Sequence, residues 1–229
     1  MTFKYNNVYI KATATVVGPY ESKGLLGNLF DVSYNDMYFG CDTFESAEVK
    51  LILESIDTLL SKIKKNKSDI DLFIAGDLQN QITSSCYAAR KLNVPFLGIY
   101  SACATNNEGL ILGANFIENN LAKRVVVSVS SHNMVAEKQF RNPTEYGAPK
   151  PSTATFTATG GVSCSLTNKK SKVRIESSTL GVISDYMQTD PLNMGANMAP
   201  AAALTINTHL KDLDRTIDDY DLILTGDLG

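Results

Sequence analysis

Apolar positions along the chain keep two different rhythms. Residues 7–17 (NVYIKATATVV) alternate at a period of two and stop at Gly18-Pro19, as a strand and its turn do. Residues 21–41, rich in Gly, Asn, Asp and Tyr, hold no period and are expected as an irregular loop. Val49, Ile52, Leu53, Ile56, Leu59, Leu60 and Ile63 then make a continuous stripe at helical spacing. Asp42 and Glu45 stand at capping-box spacing before it, and Lys62, Lys64 and Lys65 crowd its end, as the helix dipole favours. Short apolar runs at 71–75 and 96–100 predict buried strands, and 84–92 predicts a short helix. Leu110, Ala114, Ile117 and Leu121 mark the stripe of another helix, followed by the β-branched strand 124–130 (RVVVSVS). Strand and helix alternate, which is the pattern of a parallel α/β sheet with right-handed crossovers.

Beyond it the rhythm weakens. Residues 131–159 are polar and aperiodic, a loop length that is usually functional or disordered in a compact domain. Residues 160–167 and 172–178 are expected to pair as a hairpin, and 183–199 to form a second polar loop. Pro200 is placed at the first position of a partly amphipathic helix carrying Leu204, Ile206, His209, Leu210 and Leu213. His209 is read there as a surface or packing residue. The closing YDLILTGDL matches IDLFIAGDL at 70–78, and both follow an amphipathic helix. Asp71 and Asp221 are 150 positions apart, the mark of an internal repeat whose second copy stops after its first strand.

Composition excludes several classes. The 229 residues carry a formal charge of −3, which gives no electrostatic case for nucleic acid. No run approaches the ~20 apolar residues of a membrane span, and the first residues lack the apolar core of a secretory signal. Cys41, Cys86, Cys103 and Cys164 are scattered without CxxC, and only His132 and His209 could join them, so no disulfide framework, zinc site or other cofactor is indicated. A reduced, intracellular setting is the default.

One cysteine has a position that matters. Cys103 follows the strand at 96–100 and small residues (Ser101, Ala102, Ala104), and precedes a helix. Unpaired amides and the positive end of the helix dipole at such an elbow favour negative charge. Gly109 and Gly113 on the nearly uncharged helix predict close packing. A strand, an elbow cysteine and a buried helix resemble the nucleophile region of the thiolase and ketoacyl-synthase superfamily. The plainer reading is a buried, inert cysteine.

More specific are SSHNMVAEKQFRNPTEYG, PSTATFTATGG, DPLNMGANMAPAA, YSACAT and the closing GDLG, which together resemble the stage V sporulation protein AD family. That resemblance implies an α/β, thiolase-like fold of αβαβα layers. It implies that 1–181 forms the first half with its inserted loop, that 182–229 begins the second half, and that most of the second half is absent. It implies a sporulation protein that binds dipicolinic acid (pyridine-2,6-dicarboxylate), with or without calcium, for uptake into the spore. As partners it implies membrane-embedded SpoVA proteins, with the chain peripheral to the inner spore membrane. Homodimers are expected, through strand 124–130. The candidate ligand residues are Cys103, Ala104 and Thr105 at the elbow, with His132, Lys138 and Arg141 from the loop as partners of the carboxylates. An ordinary core histidine and solvated or paired cations are the competing readings of the last three. The alternative function is a condensing enzyme or acyltransferase with Cys103 as nucleophile. It lacks an evident catalytic histidine, because superfamily partners come from the second half.

Overall fold

The computed structural model describes residues 1–137, 140, 157–189, 193 and 195–226. The chain divides into two compact units, Asn7–Arg174 and a smaller one of Met1–Asn6 with Ile175–Gly229. The opening strand β1 (Thr2–Lys4) belongs to the smaller unit.

The larger unit is a sheet between helices. Its elements in order are β2 (Tyr9–Val17), β3 (Val32–Ser33), α1 (Phe44–Ile63), β4 (Leu72–Gly76), α2 (Thr83–Leu92), β5 (Phe96–Gly98), α3 (Thr105–Glu118), β6 (Arg124–Ser131), β7 (Gly160–Thr167) and β8 (Val173–Arg174). The strands lie side by side as β3-β2-β7-β6-β4-β5, with β8 also paired to β2. β4 runs parallel to β5 and β6, so the turns after these three strands gather at one end of the sheet. β7 lies antiparallel between β2 and β6.

Alternation along the strands explains which face each helix takes. Val126, Phe73 and Ala75 join the core beneath α1 and α2, with Ile52, Ile56, Leu59, Ala88 and Leu92. Val125 and Val127 point the other way, towards Gly113 and Gly109 of α3. A Cβ on Gly109 would stand 2.5 Å from Val127 Cγ1, and one on Gly113 2.7 Å from Leu166 Cδ1. The two glycines therefore let α3 approach closer than any side chain allows, as the sequence predicts.

Several expectations change. Strand 124–130 is not an edge: β6 has β4 on one side and β7 on the other, so it cannot pair across a two-fold axis. β5 is the edge instead, with Leu97 exposed, where a buried strand is predicted. Thr43, not Asp42, caps α1: its extended backbone lets its hydroxyl accept the Ser46 N–H at 3.2 Å. The buried face of α3 is Gly109, Gly113, Ala114 and Ile117, while Leu121 lies beyond the helix and is exposed. The expected hairpin of 160–167 with 172–178 does not form, because both edges of β7 are occupied and β8 pairs with β2.

In the smaller unit β1 pairs antiparallel with β9 (Ser177–Thr179), so the first six residues join this unit rather than the main sheet. The compact units part at Arg174/Ile175. Helix α4 (Gly195–Leu213) begins before Pro200, which lies inside it and gives up one backbone donor there. His209 on α4 bonds Thr179 Oγ1 at 2.7 Å and Tyr220 Oη at 2.9 Å. Arg215 in turn forks onto Glu176, at 3.0 and 2.7 Å.

The repeat is visible in local structure. α1 ends at left-handed Lys64, followed by an Asn66–Asp69 capping box on a 3-10 turn and then by β4. α4 is followed by left-handed Asp214 and a Thr216–Asp219 capping box on a 3-10 turn, each 150 positions later. The segment after Tyr220 joins no ladder among the described residues, and Leu222 and Leu224 are 70% and 80% exposed.

Candidate functional site

The turns after β4, β5 and β6 meet at one end of the sheet, and the elbow is the turn after β5. Ser101 leads into a 3-10 turn, Ala102–Ala104, that runs directly into α3. Ala102 takes a positive φ of 46°, a conformation that non-glycine residues seldom adopt. Thr105 fixes the turn. Its hydroxyl donates to the Ala102 carbonyl at 2.7 Å and accepts the Ser101 N–H at 3.0 Å. The Ala104 and Thr105 amides close onto Ser101 and Ala102, while those of Ala102 and Cys103 come before the first bonded turn. Cys103 and Ala104 are exposed and Thr105 is buried. The plainer expectation of a buried cysteine is therefore not met.

Two glycines press the neighbouring turn against the elbow. A Cβ on Gly76 would lie 2.2 Å from the Ile99 carbonyl oxygen and 2.7 Å from Thr105 Cγ2. One on Gly98 would lie 2.3 Å from Ile82 Cδ1. Gln81 and Ile82, in the turn between β4 and α2, both have positive φ, 56° and 49°.

His132, just beyond β6, is fully buried. Its Nε2 lies 2.8 Å from the Met37 carbonyl and Nδ1 accepts the Met134 N–H at 3.2 Å, so both nitrogens of a neutral ring are used. Phe39 packs against it in a T-shaped contact and Phe44 in a tilted one. Burial holds its pKa below the ordinary value, against the pull of Met37, Glu21 and Glu45. In this arrangement the ring offers nothing to a ligand, which favours the core-histidine reading. Lys138 and Arg141 lie outside the described residues.

A buried acid pair, which no periodicity in the sequence predicts, stands next to the elbow. Glu48 of α1 and Asp77 after β4 are 0% and 2% exposed. Glu48 Oε1 accepts from Ser130 Oγ at 2.9 Å, and its Oε2 accepts from Gln79 Nε2 at 2.7 Å. Asp77 accepts from the Gln79 N–H at 2.9 Å, and from the N–H and hydroxyl of Ser85, both at 2.7 Å. Asp77 thereby does the work of an N-cap for α2, whose own cap position, left-handed Ile82, supplies none. Burial, then the charge of Asp77, push Glu48 up to about 8, and burial also raises Asp77. Asp77 takes two of its bonds from backbone N–H groups, which can only donate, so it keeps the charge and Glu48 the proton, whose bond to Ser130 then runs from the carboxyl to the hydroxyl. The sequence holds one signal for this pair: Glu48 stands four residues before Ile52, on the apolar stripe of α1.

Among the described residues no group of His, Cys, Asp or Glu could hold a metal ion, and no helix is long and apolar enough to cross a membrane.

Comparison with solved structures places this fold. A point variant of OleA from Xanthomonas campestris superposes with a TM-score of 0.63 at 12% identity, over 96% of this chain and 76% of that one. A 3-oxoacyl-(acyl-carrier protein) synthase from Burkholderia xenovorans LB400 gives 0.58 at 13%, over 96% and 73%. At such identities the likeness shows the fold alone, and the fold is α/β and thiolase-like. Stage V sporulation protein AD of Bacillus subtilis (strain 168) is 46% identical over 222 residues. The alignment takes in 97% of this chain and 66% of that protein, so the chain spans about two thirds of the relative's length. The model of the stage V sporulation protein AD family matches residues 1–229. Matched along its whole length, and identical to the Bacillus subtilis protein at nearly half of the aligned positions, the chain belongs to the SpoVAD family of sporulation proteins.

Proposed function

We propose that the chain binds dipicolinic acid at the elbow and does not transfer acyl groups. The observation that carries this is the pairing of an exposed Cys103 at the start of α3 with a His132 whose two nitrogens are already spent. A helix N-terminus suits a carboxylate, and small Ala102 and Ala104 leave room for a flat ring. A condensing cycle needs a base beside the thiol, and His209 is engaged with Thr179 and Tyr220 in the smaller unit. Lys138 or Arg141 supplies the partner of the second carboxylate, Arg141 preferred for its fork geometry. In the whole protein the ligand comes with or without calcium. The protein works with SpoVA membrane proteins, peripheral to the inner spore membrane. It dimerises, and the outer edge of β5, which among the described residues pairs only with β4, supports that reading.

Dipicolinate titration of two variants is the test. Cys103→Trp abolishes binding by filling the elbow, and Cys103→Ala weakens it by less than about tenfold, or 1.4 kcal/mol. Undiminished binding in the Trp variant moves the site elsewhere. An acyl-thioester label that attaches to the wild type and is lost in the Ala variant restores the enzyme reading, which the exposed thiol at a helix N-terminus supports.

A further inference from the structure

We propose that Glu48 and Asp77 form a proton-gated latch: one proton between them locks the turn after β4 against the elbow, and its loss releases that turn. The geometry has three parts. First, the two carboxylates are joined through one residue, since Gln79 gives its side-chain amide to Glu48 and its backbone N–H to Asp77. The same Gln79 amide reaches Ser84 Oγ at 2.6 Å, tying the pair to α2. Second, the turn they hold is strained, with Gln81 and the β-branched Ile82 both left-handed. Third, that turn touches the strand leading into the elbow through Ile82 on Gly98, while Gly76 sits on Ile99 and Thr105.

Among the described residues the surroundings supply no cation. Glu48 faces Asp77 from the turn after β4 and the hydroxyls of Ser84 from α2 and Ser130 from β6. Asp77 faces Ser85 and, on α2, the thiol of Cys86. Past β6, His132 faces Glu21 and Glu45 instead. Among the described residues a second buried negative charge therefore meets only dipoles, and opening the turn to water is its relief. The sign follows from linkage: Glu48 is raised from about 4.5 to about 8 on folding. Its contribution to stability is complete below 4.5 and lost as pH rises through about 8. The latch stands whichever ligand the elbow takes.

The test is amide hydrogen exchange of the full chain, corrected for intrinsic base catalysis, in wild type and Glu48→Gln. The Gln variant keeps both partners, its oxygen accepting from Gln79 and its NH2 donating to Ser130. In wild type, protection at Gln79 and Ser85 falls about tenfold between about pH 7 and pH 9, a one-decade opening. In Glu48→Gln it stays level. A level wild type, or an equal fall in both, overturns the latch. Should the variant fail to fold, the Glu48 carboxyl carbon resonance of the wild type decides. A midpoint near 8 supports the latch, and one below about 6 overturns it.

Discussion

His132 shows how a residue with the chemistry of a catalyst is put to structural use. It ties the 36–40 segment to the turn after β6 through Met37 and Met134, inside the ring contacts of Phe39 and Phe44. His132→Leu removes both bonds and should cost about 2–3 kcal/mol in urea unfolding. The ring also sets a pH dependence. Its folded pKa lies below the ordinary 6.5, so the unfolded chain takes up the proton first. Its contribution is complete above 6.5 and is lost as pH falls below that value. Wild type should therefore lose more stability than His132→Gln between about pH 7 and pH 5. Equal losses would place the titrating group elsewhere.

Among the elements, α3 depends most on what its residues lack. Gly109→Ala would drive a methyl to 2.5 Å from Val127 Cγ1, and overpacking of this kind costs about 1–3 kcal/mol. Gly76→Ala strikes backbone, the Ile99 carbonyl, and cannot be relieved by a rotamer change. It should be the worse variant thermally and should also weaken ligand binding, whereas Gly109→Ala lowers stability first. Thr43→Ala, which removes the α1 cap, should cost about 1 kcal/mol. Helix α1 and strand β4 are legible in the sequence because a long stripe and a short apolar run need no knowledge of neighbours. Pairing is not: β6 is as β-branched as an exposed dimer strand would be, and only the sheet order shows both its edges filled. The elbow is legible as strand, small residues and helix. The acid pair is not, since Glu48 and Asp77 are 29 positions apart in the chain and are joined only by the fold.

At the scale of the molecule, the chain repeats a helix and a capping-box turn, but among the described residues only the first copy goes on into a sheet. Leu222 and Leu224 are accordingly exposed where Leu72 and Ile74 of the first copy lie in β4. Replacing Leu222 and Leu224 by Ser should change stability by less than about 0.5 kcal/mol each and reduce binding of a hydrophobic dye. A large loss of stability would mean that these side chains are covered. The central claim is that the elbow is a ligand site. Its most direct test is the backbone amide spectrum of the full chain during addition of dipicolinate. Saturable shifts centred on Ala102 to Thr105 are the predicted result. An elbow that stays still while the ligand binds, or no binding at all, would contradict it.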